Sequence, residues 1–241
     1  MNPGTDRYLA ELAERWSLPL AALERYWEDL QGNQRFLRDL NDAVRDVPEF
    51  AGKQFTHVDE LRVFRCLLYL LVRATRPEVV VETGVHNGMS SAFMLLAMAD
   101  NREGHLHSID LPPDPRILAQ GTNPLPAGKA PGWLIPSGLR ARHSLRLGSA
   151  EQLLPSVLAQ ERSLSLFLHD SDHAYSHMMF EMGLAWTYLR PGGWMVVDNI
   201  EQNHAFDDFA LGVAAPHFSV ASFDSPERVW KHGLLMKPTT A

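Results

Sequence analysis

One cysteine, Cys66, is all the chain has, so no internal disulfide can form; it sits in the apolar run VFRCLLYLLV and reads as a buried, inert thiol. No stretch approaches the ~18 uninterrupted apolar residues of a membrane span. The opening MNPGTDRYLAELAERW holds no apolar segment of signal-peptide length. The expectation is a cytoplasmic protein that meets no membrane. Positive charge is also scarce, with 22 Lys and Arg against 29 Asp and Glu, for a net charge of −7. That balance argues against a nucleic-acid partner and for a small molecule. Internal repeats and low-complexity tracts are absent too.

What remains is 241 residues, 45% hydrophobic and 21% charged, enough for one sizeable core with or without an appendage. Residues 5–50 alternate charged and apolar positions at helical spacing, with breaks at SLPL, QGN and DVPEF. A further helix is expected over 58–76, capped by Thr56 or Asp59. From residue 78 the pattern changes to short Val, Leu and Ile runs (EVVVET, HLHSID, SLRLGS, LSLFLHD, GWMVVDN) separated by helical stretches. Strand and helix in alternation imply an α/β fold with a mostly parallel sheet covered on both faces. HFSVASFD and VWKHGLLMKP, joined by SPER, read as a hairpin at one sheet edge. The division expected is an N-terminal helical region, 1–75, followed by a ligand-binding domain, 76–241. Residues 110–139, rich in proline and glycine, are expected to form a lid or substrate loop.

In an open parallel sheet, ligands bind beyond the carboxyl ends of the strands. VVVETGVHNGMSS (79–91) is such a corner: Gly84 and Gly88 let the backbone run close to a ligand, and Ser90 and Ser91 open a helix whose free amides attract a carboxylate. Its spacing, E-x-G-x-x-x-G, does not match the dinucleotide fingerprint G-x-G-x-x-G. Three more corners follow. Asp110 ends HLHSID, where an acid can accept the hydroxyls of a ribose. Gly148, Ser149 and Ala150 are small enough for a flat purine to lie on backbone. LFLHDSDHAY and VVDNIEQNHAF each close an apolar run with acids, amides and histidines.

These motifs, in this order, and LRPGGWMVVDN with its terminal hairpin resemble the class I S-adenosylmethionine-dependent methyltransferases. The likeness is to the small-molecule O-methyltransferases of the catechol, caffeoyl-coenzyme A and macrolide-sugar type. It covers about 78–238 and leaves the N-terminal helices aside. It implies a Rossmann-like fold with a seven-stranded sheet ending in an antiparallel hairpin. It also implies S-adenosylmethionine as cofactor, with Glu82, Thr83, Gly84, His86, Gly88 and Ser90 around its methionine end. Asp110 would stand at the ribose, Gly148, Ser149 and Ala150 at the adenine, and Asp170 beside them.

In the metal-dependent branch of that family, the pair Asp198 and Asn199 and one earlier aspartate, here Asp170, bind a divalent ion. These hard oxygen donors suit magnesium. Asp172 or His173 would be the general base. The acceptor implied is a hydroxyl of a small metabolite, a natural-product sugar or a phenol. Two alternatives stand beside this reading: a metal-independent enzyme in which His173 or Asp172 works alone, and a binding or assembly protein that keeps the fold without the chemistry. His169, His173 and His177 recur every four residues, but His169 is expected on a strand, so a zinc-binding helical face is not expected. Met178, Met179 and Met182 read as core. Trp16, Leu18, Leu20, Leu23, Tyr26, Trp27 and Leu30 give 16–30 more large apolar groups than a solvated helix needs, and suggest a cover for the acceptor or a homodimer interface.

Overall fold

A computed structural model describes residues 3–57, 63–114, 124–222 and 229–239. Four helices come first: α1 (Pro3–Trp16), α2 (Leu20–Gln31), α3 (Gln34–Val44) and α4 (Val63–Thr75). Then β1 (Val79–Thr83), α5 (Met89–Asn101), β2 (His105–Asp110), β3 (His143–Leu147), α6 (Ala150–Glu161), β4 (Leu164–His169), α7 (Tyr175–Tyr188) and β5 (Leu189–Val197) alternate. The chain closes with α8 (Ala205–Gly212), β6 (His217–Ser222) and β7 (Trp230–Met236). Asp59 lies outside the described residues, as do 115–123 of the expected loop.

The seven strands form one sheet in the order β3-β2-β1-β4-β5-β7-β6. Neighbours among β1 to β5 are parallel, whereas β7 runs antiparallel to β5 and to β6. Strand order reverses between β1 and β4, and that is where an open α/β sheet leaves a crevice. β5 begins earlier than its apolar run suggests, at Leu189, and takes in Pro191-Gly192-Gly193. The register against β4 shifts there, and Gly192 adopts φ 74, which a residue with a side chain resists.

Side chains on a strand alternate between faces, and both faces here are buried. Val80, Leu106, Leu166, Leu168 and Val196 pack under α4 and α5; Val81, Ile109, Phe167, Met195 and Val197 pack under α6, α7 and α8. The N-terminal helices belong to the first of these clusters. Leu9, Leu23, Leu30 and Leu40 are wholly buried, and Trp16 meets Trp194 of β5 edge-on with ring centroids 6.2 Å apart. Each such leucine contributes about 2 kcal/mol. The apolar groups that prompted a homodimer are thus largely covered within the chain, although Leu20 stays exposed. Arg73 of α4 ties this layer together through Asp29 of α2 and Asp100 of α5. Cys66, Met178 and Met182 are buried. Among the described residues no helix is long and apolar enough to cross a membrane.

Candidate active site

Face alternation decides where each corner residue points. Glu82 shares the α5 face with Val80. It is fully buried, and its Oε2 accepts the hydroxyls of Ser91 and Ser108, each at 2.7 Å. Oε1 has no partner. Burial pushes the Glu82 carboxyl up to about 7, against those two hydrogen bonds. Thr83 faces the other way, and its hydroxyl donates to Glu181 of α7 at 2.5 Å. Gly84 has φ 83, and a Cβ there would sit 1.9 Å from the carbonyl oxygen of Asp170, so the β1 and β4 corners touch through backbone. Gly88 is similarly pressed against Gly132, whose amide bonds the carbonyl of His86 while Leu134 bonds that of Asn87. Residues 130–136 of the expected loop therefore seat on this corner. Both glycines answer to close backbone packing first.

Asp110 fastens the corner from β2. Its Oδ2 accepts the amides of Val85 at 3.1 Å and His86 at 2.6 Å, and its Oδ1 accepts that of Leu111. Three of a carboxylate's roughly four acceptor positions are used, leaving room for one further donor. His86 is exposed with φ 49, and Ser90 lies in the first turn of α5, partly exposed. Gly148 donates its amide to the carbonyl of Asp110, Ser149 precedes the first turn of α6, and Ala150 is buried at its start.

On the far side of Gly84, Asp170, His173 and Asp198 come together, each offering one atom within 4.8 Å of the others. Burial, then Asp198 beside it, holds the Asp170 carboxyl well above the usual carboxylate range, with Arg65 of α4 pulling it back. Asp198 stays below that range despite burial, because His232 stands against it. His173 is lowered by burial and by His169, against the pull of Asp198, Asp172 and Glu201, so it is neutral at neutral pH. Nε2 of His173 and Oδ1 of Asp198 are buried without a hydrogen-bond partner. Asn199 follows, buried, with φ 53. Asp172 is exposed, and its Oδ1 accepts the amide of Ala174 at the approach to α7.

Sequence reasoning passed over the support behind this corner. Glu181, wholly buried on α7, accepts from Thr83, from His169 Nδ1 at 2.6 Å, and from Ser171 and His177, each at 2.8 Å. Despite burial, which opposes it, hydrogen bonds from His169 and His177 hold its carboxyl at about 2. His177 also meets Glu151 of α6 at 2.9 Å, and the Glu181 hydrogen bond raises it to about 9. The rings of His169 and His177 lie 6.5 Å apart, nearer than separate elements suggested, but a carboxylate organises them. Parity was the available signal, since Thr83 and His169 share the α7 face. Phe64, Ser222 and His232, described below, were also passed over.

A family profile described as "Methyltransferase domain" matches residues 81–200, the span that carries these corners. The chain belongs to the class I S-adenosylmethionine-dependent methyltransferases. Several solved structures share its fold. O-methyltransferase TomG from Streptomyces achromogenes, involved in tomaymycin synthesis and bound to S-adenosylmethionine, is 19% identical, with 87% of this chain and 92% of that chain covered and a TM-score of 0.59. An O-methyltransferase from Bacillus cereus, in complex with S-adenosylhomocysteine, is 13% identical over 90% and 97% of the two chains, with a TM-score of 0.56. The S-adenosylhomocysteine-bound methyltransferase PaMTH1 from Podospora anserina is 14% identical over 93% and 94%, with a TM-score of 0.54. No curated protein matches the sequence. In this methyltransferase the open Oε1 of Glu82 fits the cofactor's ammonium group, an unpaired buried acceptor where a cationic donor is wanted.

Proposed function

We propose that this methyltransferase moves a methyl group from S-adenosylmethionine to a hydroxyl of a small polar metabolite, a natural-product sugar or a phenol, beside a divalent cation. The observation that carries the reading is the convergence of Asp170, His173 and Asp198 against the Gly84 corner. Two carboxylates this close repel unless a proton or a cation lies between them. Hard oxygen donors from Asp170 and Asp198 fit a divalent ion such as magnesium and leave the unpaired imidazole nitrogen of His173 beside it. Asp170 and Asp198 would hold it, with Asn199 as the third donor expected from the sequence. Such an ion lowers the pKa of an acceptor hydroxyl bound to it.

The remaining roles fall to the chain. Glu82 Oε1 binds the ammonium group, Asp110 accepts one ribose hydroxyl, and Ser149 and Ala150 border the adenine. Nε2 of the neutral His173 takes the proton that the acceptor hydroxyl gives up. A groove of about 680 Å³ would receive the rest of the acceptor; Ile200, Phe206 and Phe218 supply apolar wall and Glu201, Asn203 and Lys231 polar contacts. It adjoins the cluster, because Asn203 Nδ2 donates to the carbonyl of His173 at 2.7 Å.

Methyl transfer from labelled cofactor to a panel of sugars and phenols, with and without chelator, tests the proposal. Activity abolished by chelator and restored by magnesium is the expected result. Chelator-resistant activity would favour the second reading, in which His173 alone is the base and Asp198 is structural; the neutral state of His173 is the observation on its side.

A further inference from the structure

Three adjacent strands bring a second histidine to Asp198. β5 pairs with β7 through Val197 and Gly233, and β7 pairs with β6 through His232 and Val220 and through Trp230 and Ser222. His232 and Ser222 therefore lie on the α4 face of the sheet, the face that Asp198 continues at the end of β5. His232 Nδ1 stands 2.5 Å from Asp198 Oδ1, off the line that a hydrogen bond prefers, and Nε2 is 3.0 Å from Ser222 Oγ. The ring stacks on Phe64 of α4, centroids 3.9 Å apart and planes at 14°. The next residue on that helix, Arg65, acts on Asp170. One turn of α4 thus reaches both carboxylates.

Serine, histidine and aspartate in this order invite comparison with a hydrolase triad. Burial defeats it, since Ser222 is 1% exposed and His232 3%, and no substrate carbonyl reaches that oxygen. The Ser222 hydroxyl at 3.0 Å from Nε2 instead suits the tautomer in which Nδ1, the nitrogen beside Asp198, carries the hydrogen. The stack on Phe64 prevents the ring from swinging away.

We infer that His232 is a positioning residue: clamped between Phe64 and Ser222, it sets the direction of the Asp198 carboxylate toward Asp170 and His173, and through it the affinity of the site for a divalent cation. The inference rests on the cation reading above. Partners of this kind orient a ligand before the ion arrives, and their loss weakens metal binding by about 10- to 100-fold.

Calorimetric titration of the full chain with manganese alone, and separately with S-adenosylmethionine, tests it. His232→Phe keeps a ring on Phe64 and removes both nitrogens. Manganese affinity is expected to fall about 10- to 100-fold with cofactor affinity unchanged. His232→Asn returns an amide nitrogen near the place of Nδ1 and is expected to recover most of the loss, which a merely structural role would not produce. Wild-type manganese affinity in His232→Phe overturns the inference, as does a His232→Asn protein no better than His232→Phe. If His232→Phe does not fold, Ser222→Ala decides: several-fold weaker manganese binding supports the inference, and an unchanged affinity overturns it. A wild-type chain that binds S-adenosylmethionine but no manganese overturns the cation reading itself, and the inference with it.

Discussion

Ser108 on β2 and Glu82 on β1 meet at 2.7 Å through Oε2 alone, the oxygen that Ser91 also serves, and this leaves Oε1 of a wholly buried carboxylate open. The same arrangement reaches back to β3, where His143 Nε2 lies 3.0 Å from the Ser108 hydroxyl. Burial pushes His143 down to about 4, so it is neutral and can donate to Ser108 while Ser108 donates to Glu82. The chain of donors ends on one side of the carboxylate, and the cofactor's ammonium is the partner proposed for the other.

A pH dependence follows for the protein without cofactor. The Glu82 carboxyl rises from an ordinary 4.5 to about 7, so the folded state holds this proton more tightly than the unfolded one. The stability this confers is fully present below about pH 4.5 and is lost as pH rises through about 7, by about 3 kcal/mol in all. Thermal unfolding across that range should show the decline, and Glu82→Gln should remove it. S-adenosylmethionine should bind more tightly as pH rises through about 7, because only the ionised carboxylate pairs with an ammonium. Calorimetry with a flat affinity profile would sink the assignment of Glu82 to that group.

Gly84 should tolerate no side chain. With φ 83 and a backbone oxygen 1.9 Å from its missing Cβ, Gly84→Ala must part the β1 and β4 corners. A loss of at least about 3 kcal/mol is expected in denaturant titration. Gly183, within α7, offers the contrast, since nothing lies within 4 Å of a Cβ there. Gly183→Ala should stabilise by about 0.5 to 1 kcal/mol.

Glu181 should hold the fold in a bounded pH window. Its lowered carboxyl lends stability that is present above about 4.5 and lost as pH falls through about 2. The raised His177 lends stability that is present below about 6.5 and lost as pH rises through about 9. Both are complete between about 4.5 and about 6.5. Glu181→Gln should cost about 3 kcal/mol in that window, since it breaks a buried pair. It should also return the His177 titration, followed by NMR, toward its ordinary value. An unmoved His177 titration would mean that Glu181 is not its main partner.

The sheet was legible because β1, β4 and the second half of β5 are buried on both faces, so mostly apolar residues lead to a polar residue at or just beyond each carboxyl end, whereas β3 is partly exposed and was read from its shorter run. The hairpin was legible from its two runs; the SPER that joins them lies outside the described residues. Other features depend on contacts between residues distant in the chain, which no local spacing records. Phe64 and His232 stack across 168 positions, and the hydroxyl of Thr83 meets Glu181 rather than the crevice because parity points it there. The N-terminal helices read as an appendage because their apolar stripe says only that something covers it, and that something is the sheet face behind Trp194.

Asn203 offers the sharpest separation between binding and chemistry. Its Nδ2 donates to the carbonyl of His173 at 2.7 Å, and its Oδ1 accepts the amide of Ala205 at 2.8 Å, so the start of α8 is tied to the loop that carries the proposed base. Nothing in that pair touches the β1 and β2 corners. Asn203→Ala should therefore leave S-adenosylmethionine affinity unchanged while kcat falls about 10-fold, the scale of a base displaced from its acceptor. Asn203→Asp keeps the bond to Ala205 and loses the donor, so it should resemble the alanine variant. Steady-state kinetics with the acceptor saturating decides the matter. A rise in acceptor KM with kcat intact would confine Asn203 to its part in the groove wall and leave His173 held by other contacts.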